Sequence, residues 1–99
     1  MQSDRKESKA KAMARVARVE SILRRWDPIG VRPGELAPAD EYDSYAPHIV
    51  SLVEHGCSVQ QLAQHLEKLR TETIGVKAYP ERDMEIAREI VESLRREAL

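Results

Sequence analysis

Four stretches of this sequence repeat their apolar residues every three or four positions, and none reads convincingly as a strand. That spacing places side chains on one face of a helix, so it restricts the chain to helix-on-helix packing. Met13, Val16, Val19, Ile22, Leu23 and Trp26 form the first stripe, in a helix expected to begin between Ser3 and Lys9. Asp27-Pro28 ends it, because proline lacks an amide hydrogen and disfavours helical geometry in the residue before it. Ile49, Val50, Leu52 and Val53 give the second stripe, with Ser44 as the expected N-cap and Pro47 inside the first turn. Gly56 is a left-handed terminator. Ser58 and Gln61 have capping-box spacing ahead of the third stripe, Val59, Leu62, Ala63, Leu66, Leu69 and Ile74, which Gly75 stops. Pro80 opens the last helix, whose stripe reads Met84, Ala87, Ile90, Val91, Leu94 and Ala98, with Glu85, Glu89, Arg88 and Arg95 on its exposed side.

Ninety-nine residues suffice for one modest core, so the expectation is a single all-α, four-helix small domain over 1–99, an orthogonal array or a bundle. Residues 1–10 have little to bury and are expected to fray. Phe is absent and only Trp26, Tyr42, Tyr45 and Tyr79 are aromatic, which leaves the core to Leu, Ile, Val, Ala and Met. The lone Cys57 excludes an internal disulfide and fits a reducing compartment. The first sixteen residues have no secretory apolar stretch, and no segment has the apolar length of a membrane span. A cytoplasmic location without membrane contact is therefore expected.

The net charge of −1 conceals an asymmetry. Residues 1–25 carry +5, residues 26–58 carry −5, and the remainder carries −1. Between the first two stripes lies a connection of roughly fifteen residues without regular structure, a length that is usually functional or mobile in compact domains. It contains Gly30 and Pro33-Gly34 and is closed by Pro38, and the cluster Asp40-Glu41-Tyr42-Asp43-Ser44-Tyr45 and His48 follow. Its structural reading is a lid on the core: Trp26 covers the open end, Asp27 braces the turn, and Ile29 and Val31 tuck beneath it. For the acids, the structural reading is favourable placement near a helix N-terminus. The functional reading is a recognition surface made of Trp26, Asp40, Glu41, Tyr42, Asp43, Tyr45 and His48. Tyrosine supplies contact area with a polar tip, and carboxylates select a basic partner.

The tracts Trp26-Asp27-Pro28-Ile29-Gly30-Val31 and Asp40-Glu41-Tyr42-Asp43, with Tyr45, Pro47 and His48, resemble the YugE-like family of small, poorly characterised bacterial helical proteins. Leu66 to Val76 also fits that pattern, and together these segments cover about half the chain. The resemblance implies an all-helical fold and brings no activity or catalytic residue with it.

Other chemistries find weaker footing. His48, His55, Cys57 and His65 match no zinc-site spacing, and no calcium-loop pattern is present, so neither a metal nor a cofactor is expected. Cys57 near His55 at a helix start could be an activated thiol, but no phosphate loop or nucleophile elbow accompanies it, and no enzyme is expected. Residues 52–66 share features with the first half of a helix-turn-helix, but their periodicity runs on through Leu69, where a second turn should fall. The sequence-based expectation is a non-enzymatic domain that binds another protein with a basic surface, for example an immunity-type protein binding a basic bacterial toxin. The alternative is a nucleic-acid-associated regulator using Arg15, Arg18, Arg24 and Arg25. Oligomeric state stays open.

Overall fold

The computed structural model describes residues 2–30, 35, 38 and 40–97, the side chains of 2–7 and 97 excepted. Four helices follow in order: α1 (Gln2–Trp26), α2 (Ala46–Glu54), α3 (Val59–Lys68) and α4 (Pro80–Glu97), with no strand among the described residues. A 3-10 turn, Asp43–Tyr45, leads into α2, and α3 runs on into a widened π turn, Leu69–Ile74. This is the expected all-α, four-helix domain. No helix among the described residues is long and apolar enough to cross a membrane.

One apolar core joins the four helices. Val19, Ile22, Leu23 and Trp26 meet Ile49, Val50 and Val53 of α2, Leu62 and Leu66 of α3, and Ile86, Ala87, Ile90, Val91 and Leu94 of α4. α4 lies most extensively on α3, and α1 packs against α2 and α4. Among the described side chains of α1, those from Val16 onward supply its share of the core. Its 25 residues span about 37 Å at ~1.5 Å per residue, yet residues 8–14 are all exposed and the first buried one among the described side chains is Val19. The molecule is correspondingly long, 47 × 30 × 20 Å.

Local chemistry sets most of the boundaries as expected. Ser58 Oγ accepts from the Gln61 amide at 3.1 Å, and Gln61 Oε1 accepts from the Ser58 amide at 2.8 Å, which completes the capping box. Gly56 sits at φ 90°, where the Cys57 amide reaches Leu52 O and its own amide reaches Val53 O, the paired bonds of a left-handed helix terminus. Gly75 closes the π turn at φ 86°.

Several expectations need correction. α1 begins at Gln2, one residue ahead of the expected window. Ser44 does not cap α2: it lies inside the 3-10 turn, whose backbone bonds carry the chain straight into the helix and leave no side-chain cap to make. The stripe of α4 also includes Ile86, buried together with Asp83, while Met84 packs half-buried against the core. Ile29 does not tuck beneath the connection, being 45% exposed. Val31, Pro33, Gly34 and Ala98 lie outside the described residues.

Candidate binding surface

The connection after α1 is anchored from within. Trp26 is 2% exposed and its indole Nε1–H donates to Asp83 Oδ1 at 2.8 Å. Asp83, in the first turn of α4, is 1% exposed, and Arg70 in the π turn is 4% exposed. The Arg70 guanidinium donates from Nε to Asp83 Oδ1 and Oδ2 at 3.1 and 3.2 Å, and from Nη2 to Oδ1 at 2.7 Å. It also lies 5.5 Å from the Trp26 ring centroid and 5.9 Å from that of Tyr79, within cation–π range. A lone buried carboxylate or guanidinium is very costly; here each answers the other, and the indole takes a further share of the carboxylate.

Tyr42 extends this arrangement to the loop. Its ring meets Trp26 edge-on at 5.9 Å, and its hydroxyl donates to Asp27 Oδ1 at 2.6 Å while accepting from the Ile29 amide at 3.4 Å. Burial first, then the bond to Asp27, holds the phenol well above its ordinary pKa of 10.0. Asp27 thus braces the turn, and it does so at φ 36°, a left-handed conformation that asparagine and aspartate tolerate better than most side chains. The Gly30 amide closes the turn onto Asp27 O at 3.1 Å.

The residues expected to form one recognition surface are therefore divided. Trp26 and Tyr42 are buried members of the core, where their rings meet edge-on, and so are withdrawn from the surface. Asp40, Glu41 and His48 are exposed, and Tyr45 is half-buried against the core. Asp43 is mostly covered, its side chain 18% exposed, and Oδ2 accepts from Arg24 Nη2 at 3.2 Å while Oδ1 has no hydrogen-bond partner. No ion pair among the described residues engages Asp40 or Glu41. Their turn is held by the Glu41 amide on Pro38 O and the Asp43 amide on Asp40 O, at 3.2 and 3.1 Å.

Elsewhere the candidates are spoken for. Of the α1 arginines, Arg15 pairs with Glu54 at 2.9 Å, Arg24 with Asp43 and Arg25 closely with Glu89, and Arg18 is also engaged. His48 and His65 meet edge-on at 5.1 Å beside an open cleft of ≈ 600 Å³ between α2 and α3, which His55, Cys57, Gln61, Gln64 and Lys68 help to line. His55 Nδ1 sits 2.7 Å from Ser51 O. Burial pushes the Cys57 thiol pKa up, against a smaller opposing pull from Arg95, which is the reverse of an activated thiol. Burial, His48 and Lys68 together lower the pKa of His65. Among the described residues no three of His, Cys, Asp and Glu converge on a point where a metal ion could sit.

Sequence reasoning missed Arg70 and Asp83. A signal was present: both interrupt apolar stripes in register, Arg70 after Leu62, Ala63 and Leu66, and Asp83 before Ile86, Ala87, Ile90 and Leu94. A charged residue on a buried stripe calls for an opposite charge on a facing one. Comparison with protein-family models, curated proteins and solved structures finds no match to this chain, so the surface has to be interpreted from its own geometry.

Proposed function

We propose that this chain is a non-catalytic protein-binding module that receives a basic surface of another protein on the edge formed by Asp40, Glu41, Asp43, Tyr45 and His48. The observation that carries this reading is the contrast within a single turn: Tyr42 is locked into the core while Asp40 and Glu41 are exposed, with no ion pair to them among the described residues. An acidic pair fixed in advance loses little freedom on binding, and complementary charge then speeds and orients encounter. Tyr45, two residues after Asp43 and half-buried against the core, supplies apolar contact area. An immunity-type protein that neutralises a basic bacterial toxin is the most concrete form of this role, and kinship with YugE-like proteins is compatible with it.

The test is capture from the native lysate on immobilised folded protein, with the Asp40→Lys/Glu41→Lys variant alongside and each arm run with and without nuclease. The expected result is a basic protein retained by the wild-type chain, released by salt, and lost from the charge-reversed variant. Equal capture by both chains would refute the edge as the interface, and nuclease-sensitive recovery would favour the nucleic-acid reading.

A further inference from the structure

The exposed half of α1 carries a pattern that is complementary to itself. Lys9, Ala12, Met13, Val16, Ala17 and Glu20 line a shallow groove of ≈ 390 Å³ along one side of the helix. Ala12 and Ala17 are exposed, Met13 is 64% exposed, and Val16 and Glu20 are half-covered. The apolar centre is thus flanked by a cation at one end and an anion at the other. Neither Lys9 nor Glu20 has a salt-bridge partner among the described residues.

These six positions are symmetric about the midpoint between Ala14 and Arg15. Turning a second copy of the helix end for end sets Lys9 opposite Glu20, Ala12 opposite Ala17, and Met13 opposite Val16, and the two-fold axis repeats each contact. We infer that α1 pairs antiparallel with α1 of a second copy of this chain through this seam. The two apolar residues with bulk meet across the axis, the alanines let the backbones approach, and each end closes on a Lys9–Glu20 pair. A parallel pairing would set Lys9 against Lys9 and Glu20 against Glu20, so charge selects the antiparallel arrangement. Such an interface is isologous, as two-fold dimers require. Lys11 and Arg18, which the same symmetry would also oppose, fall on the far side of the helix and stay out of the seam. The pairing also covers residues 9–13, whose side chains are exposed along the helix. It stands independently of the function proposed above, since neither Lys9 nor Glu20 belongs to the acidic edge.

A single helix seam lies at the small end of protein interfaces, so the dimer is weak and has to be sought up to roughly 0.5 mM. Sedimentation equilibrium of the full chain should show reversible dimerisation over that range. Lys9→Glu places two carboxylates face to face at both ends, and Glu20→Lys places two ammonium groups there. Each variant should remain folded by circular dichroism and weaken association at least about tenfold. Mixing the two single variants restores both attractive pairs, so an equimolar mixture should form a heterodimer with near wild-type affinity, as should the Lys9→Glu/Glu20→Lys double variant with itself. A wild-type chain that stays monomeric, or single variants that associate as well as wild type, would overturn the inference. So would a mixture that fails to associate.

Discussion

α1 meets two kinds of arginine–carboxylate pair, and they differ in almost everything but their chemistry. Where the helix ends, Trp26 joins Arg70 and Asp83, which are 4% and 1% exposed and bonded through three short contacts. Along its flank, Arg15, Arg24 and Arg25 reach Glu54, Asp43 and Glu89 in pairs whose side chains keep a share of water, the smallest at Asp43. The buried pair has no fallback: once desolvated, each charge depends on the other and on the indole. The flank pairs can exchange protein for solvent at little cost. The first kind fixes the end of α1, against which the Tyr42 ring packs in the turn that carries Asp40 and Glu41. The second only balances the basic helix against the acidic section.

The sharpest way to break this contrast is to remove one buried charge. Asp83→Ala leaves the Arg70 guanidinium and the Trp26 N–H without their acceptor, and should cost about 3–5 kcal/mol in a urea or thermal unfolding experiment. That is a large share of what a small domain has, ~5–15 kcal/mol. Adding Arg70→Met in an Asp83→Leu background should recover much of the loss, because the uncompensated charge goes with its partner. A loss below about 1 kcal/mol for Asp83→Ala would mean that water readily reaches the guanidinium, and the contrast would collapse.

The helices were legible because each stripe is a local pattern, set by residues within one or two turns of each other. The capping box at Ser58–Gln61 and the terminator at Gly56 were legible for the same reason. The Trp26–Asp83–Arg70 arrangement was not, because its members are separated by 57 and 13 positions and couple only after the helices pack. Asp83, next to Pro80 and Glu81, reads locally as one more acid at a helix start. The recognition cluster was half legible: composition marked residues 40–48, but whether each aromatic faced inward depended on the 3-10 turn, which gives no strong sequence signal. That turn makes Tyr42 a core residue and leaves Tyr45 at the boundary.

A smaller effect probes the bridge from core to loop. Tyr42→Phe keeps the ring against Trp26 but removes the hydroxyl that donates to Asp27 and accepts from Ile29. The expected loss is about 1–2 kcal/mol, with the Asp27 turn loosened and amide exchange faster at Ile29 and Gly30. The phenol also imposes a pH limit. Its folded pKa is raised, so its contribution is complete below the unfolded value near 10 and falls away as the pH rises beyond it. Alkaline unfolding of the wild-type chain should therefore be steeper than that of Tyr42→Phe.

His65 gives a shallower dependence at the other end of the scale. Its folded pKa is depressed, so its contribution is present above the ordinary value of 6.5 and is lost as the pH falls. Stability should decline gently as acid is added below that point, and His65→Gln should flatten the slope. If the slope is unchanged, neither the burial of the ring nor its contact with His48 bears on stability.

The smallest effects belong to the flank of α1, and they order themselves by what each arginine leaves behind. Arg25→Gln frees a Glu89 carboxylate that is already 40% exposed, so water replaces the guanidinium and the loss should lie within about 0.5 kcal/mol. Arg24→Gln is different in kind, although its pair looks weaker at 3.2 Å. Asp43 is only 18% exposed and among the described residues its Oδ1 has no partner and Arg24 is the one cation paired with it, so removing Arg24 exposes a mostly covered carboxylate to a larger loss. Its loss should reach about 1 kcal/mol, still well short of the Asp83 variants. Raising the salt to roughly 0.5 M should erase the Arg25→Gln effect, because an exposed pair is screened, and leave part of the Arg24→Gln effect, because a covered one is screened less. Equal losses with equal salt dependence would show that partial burial at Asp43 makes no difference to the strength of its pair. The division between buried and solvated charge would then begin only at the depth of Asp83.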